Sequence, residues 1–172
     1  IEAIGKIGKG QEFDGGYDEI ALSAPPILNF DEMTFSFWIY PPTLDANARK
    51  IIHSGWVANG SYVSFVCSDY GGCLYFNIKN DVGDRVDAHV AAVINAWQYI
   101  AVKWDGANIT ISNNLVAGTG GALGGSSSGN FATSIGTNLY DGIVDEFRVS
   151  TIDRSAEWIA YEYANMNPAD GG

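Results

Sequence analysis

Ile143-Val144-Asp145-Glu146-Phe147-Arg148-Val149-Ser150, preceded by the turn pair Asp141-Gly142, is the stretch on which the fold reading turns. At a strand period of two, Ile143, Asp145, Phe147 and Val149 take one face and Val144, Glu146 and Arg148 the other. This reading places the carboxylate of Asp145 among large apolar side chains. An ionised carboxylate is not left alone in such a place: it is paired with a cation, hydrogen-bonded to backbone amides, or protonated. With only 9 Lys and Arg residues in the chain, a bound metal ion is a further partner to consider.

Working outward, Met33-Thr34-Phe35-Ser36-Phe37-Trp38-Ile39-Tyr40 is stopped by Pro41-Pro42 and is bulky on both faces, which predicts a central strand covered on both sides. Asn95 to Trp104, ending in the turn Asp105-Gly106, and Asn108 to Asn113 predict a hairpin. A second hairpin is predicted from Tyr62 to Cys67 and from Cys73 to Ile78. In register, it would bring Cys67 and Cys73 face to face at disulfide distance, as expected in an oxidising compartment. Asp14-Gly15 carries the same turn signal between two short strands. Residues 118–130 are Gly/Ser-rich and read as a long flexible surface loop within the domain. Ser155 caps a predicted helix from Ala156 to about Met166, whose Trp158, Ile159, Glu162, Tyr163 and Met166 recur on one docking face.

The composition agrees with an all-β domain rich in turns: 13% of residues are aromatic and 21 are glycine. The 172 residues form a single domain, 1–172, able to bury roughly 70% of the extended-chain surface without a staple. The net charge of −11 repels nucleic acid and anionic membranes, and excludes anionic polysaccharides unless a divalent cation bridges them. No apolar run reaches the roughly 18 residues of a membrane span. A start at Ile1 reads as that of a processed or excised product.

Taken in order, Gly5 to Gly15, Thr34 to Ile39, Trp97 to Gly106, Asp141 to Ser150, Arg154-Ser155 and Trp158-Ile159 resemble the laminin-G-like, concanavalin A-like jelly rolls of bacterial and archaeal surface proteins. The resemblance spans essentially the whole chain and is specific for the fold, not for a ligand. It implies a two-sheet antiparallel sandwich closed by a short C-terminal helix. It also implies a structural calcium ion on an acidic side chain of the last strand, with Asp145 at the matching position and Asp14 as a second candidate. Calcium takes six or more oxygen ligands; the alternative is an Asp145 held by amides or by Arg148. Such domains usually carry a strand upstream of the Gly-Lys-Ile-Gly segment. Its loss would leave an open sheet edge, inviting self-assembly.

Some relatives of this fold are glycoside hydrolases, whose acidic residues alternate along one strand so that two carboxyls face one cleft. No such run occurs here, and Asp145 and Glu146 fall on opposite faces, so no catalytic residue is expected. His53, read as a strand-end residue, and His89, read as a loop residue, are too few for a zinc cluster. The expected function is therefore a non-catalytic extracellular binding or adhesion module directed at polysaccharide or glycoprotein glycans. Its ring-stacking candidates are the loop aromatics Trp56, Tyr70 and Tyr140, with Asp69 beside Tyr70. Trp38, Trp97, Trp104 and Trp158 are assigned to the core. The alternative is a structural subunit of an extracellular filament, sheath or surface layer.

Overall fold

A computed structural model of the chain describes residues 1–21, 32–44, 49–54, 62–68, 72–79, 84–124, 133–136 and 140–167. The strands are β1 (Glu2–Ile4), β2 (Lys9–Asp14), β3 (Ile20–Ala21), β4 (Met33–Tyr40), β5 (Arg49–Ser54), β6 (Tyr62–Ser68), β7 (Cys73–Lys79), β8 (Arg85–Ala91), β9 (Gln98–Trp104), β10 (Asn108–Asn113), β11 (Val116–Ala117), β12 (Gly121–Ala122), β13 (Thr133–Ile135) and β14 (Asp141–Ser150), followed by the helix α1 (Ala156–Met166). One sheet runs β1-β2-β14-β4-β9-β10-β11, with β12 also on β10. The other runs β3-β13-β5-β6-β7-β8. All pairings are antiparallel. The result is the expected all-β sandwich with a short C-terminal helix.

The core lies between the sheets. Phe35, Phe37, Ile39, Ile100, Val102 and Trp104 from the first sheet meet Leu74, Phe76, Ile78 and Val90 from the second, each at most 5% exposed. A smaller cluster on the outer face of the first sheet joins Trp38, Tyr99 and Ala101 to Ile159 and Met166 of α1, with Trp97, Trp158 and Tyr163 packed beside them. β4 is therefore covered on both faces, as its sequence predicts, and only Tyr40 escapes full burial. Ser155 accepts a hydrogen bond from the Trp158 amide at 3.2 Å and caps α1 where expected. No described helix is long and apolar enough to cross a membrane.

Several expectations are corrected. Asp14-Gly15 does not join a hairpin: β2 pairs with β1 and β14, whereas β3 crosses to the other sheet and pairs with β13. Glu2–Ile4 forms a strand on β2, so the first sheet does carry an edge strand upstream of Gly-Lys-Ile-Gly. His89 lies within β8, not in a loop. The ladder pairs Cys67 with Leu74 and Cys73 with Ser68, so the two cysteines are not opposite each other. They occupy adjacent rungs, and adjacent rungs belong to opposite faces of a sheet. Cys73 falls opposite Ser68, one residue from the register that a Cys67–Cys73 pairing needs.

Within the Gly-rich stretch 118–130, Gly121 and Ala122 form β12 on β10. Leu123 is 2% exposed, and its carbonyl accepts a hydrogen bond from Trp104 Nε1 at 2.9 Å. Glycine is needed there for close approach: a Cβ at Gly120 would run into the Ile109 carbonyl oxygen.

Candidate functional site

β14 does not keep a single alternation. Asp145 lies opposite Trp38 and Arg148 opposite Ser36, so Glu146 and Phe147 together face Phe37. This is a β-bulge, with Glu146 in the left-handed region at φ 51°. The extra residue reverses the parity. Val144 points into the core before it, and Phe147 and Val149 point into the core after it. Asp145 thus leaves the face of Phe147 and Val149, where the period-two reading puts it, and lies beside Trp38 on the helix side.

Asp145 is 7% exposed and both of its oxygens accept backbone amides: Oδ2 from Ile7 at 2.9 Å and Oδ1 from Glu146 at 2.8 Å. The first of these pins the tight Gly5–Gly8 turn, closed by Gly5 N–H to the Gly8 carbonyl at 3.2 Å, onto the last strand. A Cβ at Gly5 would stand 2.5 Å from Asp145 Oδ2 and 2.6 Å from the Gly10 nitrogen, which is why the contact needs glycine. Two backbone amides therefore meet the carboxylate of Asp145. Asp14 is exposed and accepts the Gly16 amide at 2.8 Å, a turn-stabilising bond of the Asx type. Among the described residues no group of three or more His, Cys, Asp or Glu side chains is placed to hold a metal.

Two other carboxylates near β14, Glu162 and Glu146, are also engaged. Glu162 of α1, 7% exposed, accepts from Ser36 Oγ at 2.8 Å, from Tyr99 Oη, and from Arg148 Nη1 at 2.6 Å. Arg148 Nη2 donates to Glu146 at 2.5 Å. Burial works to lower the Arg148 pKa, but the hydrogen bond and charge of Glu162, then the charge of Glu146, outweigh it and raise the pKa. The cluster fastens the helix to the sheet, and its two acids share the Arg148 cation.

Burial first, and the hydrogen bond to Glu162 second, push the Tyr99 hydroxyl above the usual phenol range. A group whose pKa is raised on folding contributes stability that is complete below its unfolded value and is lost as pH rises toward the folded one. The unfolded phenol loses its proton near pH ~10. Above that pH the chain should lose stability through Tyr99. Tyr99→Phe should be less stable than the parent by about 1 kcal/mol near neutrality, and the gap should close in melts taken at progressively alkaline pH.

Of the residues singled out for stacking, Trp56, Asp69 and Tyr70 lie outside the described residues. Tyr140 is not a rim aromatic: it is 1% exposed and packed on Phe13 at 5.7 Å between ring centroids. Without a solvent-facing ring face it cannot receive a sugar. Its turn position before Asp141-Gly142 is compatible with either burial or exposure, and the core takes it.

The structure brings together a different set. A cleft of about 480 Å³ lies between β8 and the β10–β11 hairpin, lined among others by His89, Val90, Asn113, Asn114, Val116 and Thr119. His89 and Thr119 join the two sheets at its base by reciprocal backbone hydrogen bonds of 2.9 and 2.7 Å. Asn113 is 8% exposed, and its Nδ2 donates to the Ala91 carbonyl at 2.8 Å and to Gln98 Oε1 at 2.7 Å. Its Oδ1 is buried and accepts nothing among the described residues. An uncompensated acceptor of this kind costs about 1–3 kcal/mol. Sequence reading passes over Asn113 because Asn113-Asn114 at a strand end reads as turn chemistry, and nothing local marks the first amide as buried.

The family described as the concanavalin A-like lectin/glucanases superfamily matches residues 14–160. No curated protein matches the sequence. Among solved structures, the chain is similar to domain 4 of AbnA, a GH43 extracellular arabinanase from Geobacillus stearothermophilus, in complex with arabinotriose. The TM-score is 0.77 at 19% identity, over 93% of this chain and 79% of that one. It is also similar to the binding domain of Paraclostridial Mosquitocidal Protein 1, with TM-score 0.80 at 14% identity over 99% of this chain and 46% of that one. A third similarity is to the binding domain of botulinum neurotoxin serotype G, with TM-score 0.75 at 12% identity over 94% and 44%. The chain thus spans just under half the length of these two toxin binding domains. Likeness at such identities concerns the fold.

Proposed function

The chain belongs to the concanavalin A-like lectin/glucanases superfamily, and from that premise we propose that it is a non-catalytic, extracellular binding module for neutral glycans. The observation that carries this reading is the state of the carboxylates around the last strand. Asp145 is held by two amides, and Glu146 and Glu162 share Arg148 beneath a helix. Glycoside hydrolysis needs two carboxyls about 5–10 Å apart across an open substrate site, and these three are committed to holding the fold.

Binding to neutral ligands is favoured by the net charge of −11, which opposes polyanions. The similarity to an arabinanase domain in complex with arabinotriose supports carbohydrate as the ligand class. Trp56 and Tyr70, with Asp69, stay candidates for the ring platform. Calcium is not required by this reading; an ion, where bound, would use Asp145.

A glycan array followed by calorimetric titration tests the proposal. The expected result is binding of neutral oligosaccharides, little changed between low and high salt, with no new reducing ends on prolonged incubation. An array with no positive glycan, or release of sugar from any of them, would overturn it. Assembly through a sheet edge is the second reading. It is favoured by Ile1 and Ile4, 70% and 86% exposed at the edge strand β1, and light scattering on the purified chain would show it as a concentration-dependent mass.

A further inference from the structure

We infer that the end of the sandwich formed by the 92–97 loop and the β10–β11 turn is a docking surface for a second copy of this chain, paired about a two-fold axis. The inference is independent of the glycan reading and concerns a different surface from the β1 edge.

Charge sets this end apart. No Asp, Glu, Lys or Arg falls in 90–102 or 106–124, in a chain whose net charge is −11. Four aliphatic side chains stand out from it: Val93, Ile94, Leu115 and Val116 are 43–69% exposed. The two segments adjoin through buried amides. Gln98 Oε1 accepts the Val93 N–H at 2.9 Å and the Asn113 Nδ2 hydrogen at 2.7 Å, and Gln98 Nε2 donates to the Val93 carbonyl at 2.7 Å. The aliphatic tips therefore stand on a fixed frame. Exposed apolar side chains grouped in this way mark an interaction surface.

The turn supplies a second argument. Asn113 pairs with Val116, so Asn114 and Leu115 form a two-residue hairpin turn, with φ of 47° and 67°. Such a turn takes Asn readily, and Asn114 Oδ1 also accepts the Tyr99 amide at 2.8 Å. The second position ordinarily goes to glycine; a leucine there is held in the left-handed region at a cost to the fold. Strain of this kind persists where the side chain serves something besides the turn. Leu115 lines a groove of about 340 Å³ between β10 and α1, with Ala101, Ser112, Ala156, Ile159 and Ala160 around it. Among the described residues the one charged side chain in that lining, Lys103, is paired with Asp153 at 2.9 Å.

An aliphatic ridge beside a recess of the same chemistry is self-complementary about a two-fold axis, since each copy offers what the other receives. A recess calls for a protruding side chain, which a bilayer surface does not present. Charge points the same way: two bodies of −11 repel each other in most orientations, and least where neither face is charged. Pairing doubles the valency of whatever each copy binds.

The experiment is sedimentation velocity and light scattering on the whole chain across a wide concentration range, at low and high sodium chloride. The expected result is a mass that rises to twice the monomer and does so sooner at high salt, which screens the repulsion and spares the apolar contact. Val116→Arg should keep the melting temperature and weaken pairing by about tenfold or more, although it reduces the net negative charge. Leu115→Gly relaxes the turn, so melts at dilution should hold or rise while pairing weakens. Ile4→Arg, at the β1 edge, should leave pairing as it is. A monomer under all conditions would overturn the inference, as would a Leu115→Gly variant that melts lower and pairs as before. Association lost in Ile4→Arg and kept in Val116→Arg would overturn it in favour of the sheet edge. A monomer that floats with phosphatidylcholine vesicles, and no longer does so as Val116→Arg, would overturn it in favour of a lipid surface.

Discussion

Glu162→Ala should lower the melting temperature by roughly 6–12 °C, the largest change expected from any single side chain of the polar cluster, for a loss of about 3 kcal/mol. The size of the loss follows from what the carboxylate serves. Tyr99 and Ser36, 0% and 2% exposed, both donate to it and have no water to turn to when it is removed. Each orphaned hydroxyl costs about 1–3 kcal/mol. The Arg148 side chain is 40% exposed and still has Glu146, so its share is discounted as for a partly screened pair. Glu162→Gln keeps an acceptor for the hydroxyls and gives up the charge, so it should cost clearly less. If thermal melts placed the two variants together, the ion pair and not the hydroxyls would account for most of the loss.

The second large effect is expected at the bulge. Asp145→Asn should destabilise the chain by about 2 kcal/mol, because hydrogen bonds to a charged acceptor are worth about 1.5–3 kcal/mol. The substitution also turns an amide NH₂ toward either the Ile7 or the Glu146 N–H. Denaturant melts would measure the loss. Chelation distinguishes the two accounts of this residue. With the amides alone holding Asp145, EDTA leaves the parent's melting curve in place, which is the expected outcome. A midpoint that falls with EDTA and returns with calcium would put an ion on the lone pairs the amides leave open.

How much of this was legible in the sequence follows from where each signal resides. β4 was legible because bulky residues on both parities can only mean a strand covered twice. The β9–β10 hairpin was legible because Asp105 supplies its own turn: its Oδ1 accepts the Ala107 and Asn108 amides at 2.9 and 2.6 Å. The same Asp-Gly pair at Asp14-Gly15 misled, since a tight turn says nothing about which sheet the chain enters next. The cysteine pairing failed by one residue of register, since Cys73 lies opposite Ser68, and nothing in the alternation of the two strands marks that offset. Asp145 was singled out correctly as a carboxylate needing partners, but its face was misread. A glutamate in the left-handed region leaves no trace in the alternation around it. Asn113 was missed because its burial depends on Gln98, Val93 and Ala91 converging from other segments.

Without Glu146, β14 would alternate regularly: Val144 inward, Asp145 outward, Phe147 inward, Arg148 outward, Val149 inward. The strand therefore carries one residue more than its pairing with β4 requires, and the surplus falls where the ladder with β2 ends, at Val144 opposite Gln11. From there to Ser150, no described strand pairs with the flank of β14 turned away from β4. A flat, unpaired flank of that length is a template for aggregation, and a bulge that bends and twists the strand spoils it. The residue that hides Asp145 from sequence reading thereby also guards the solubility of the fold's last strand.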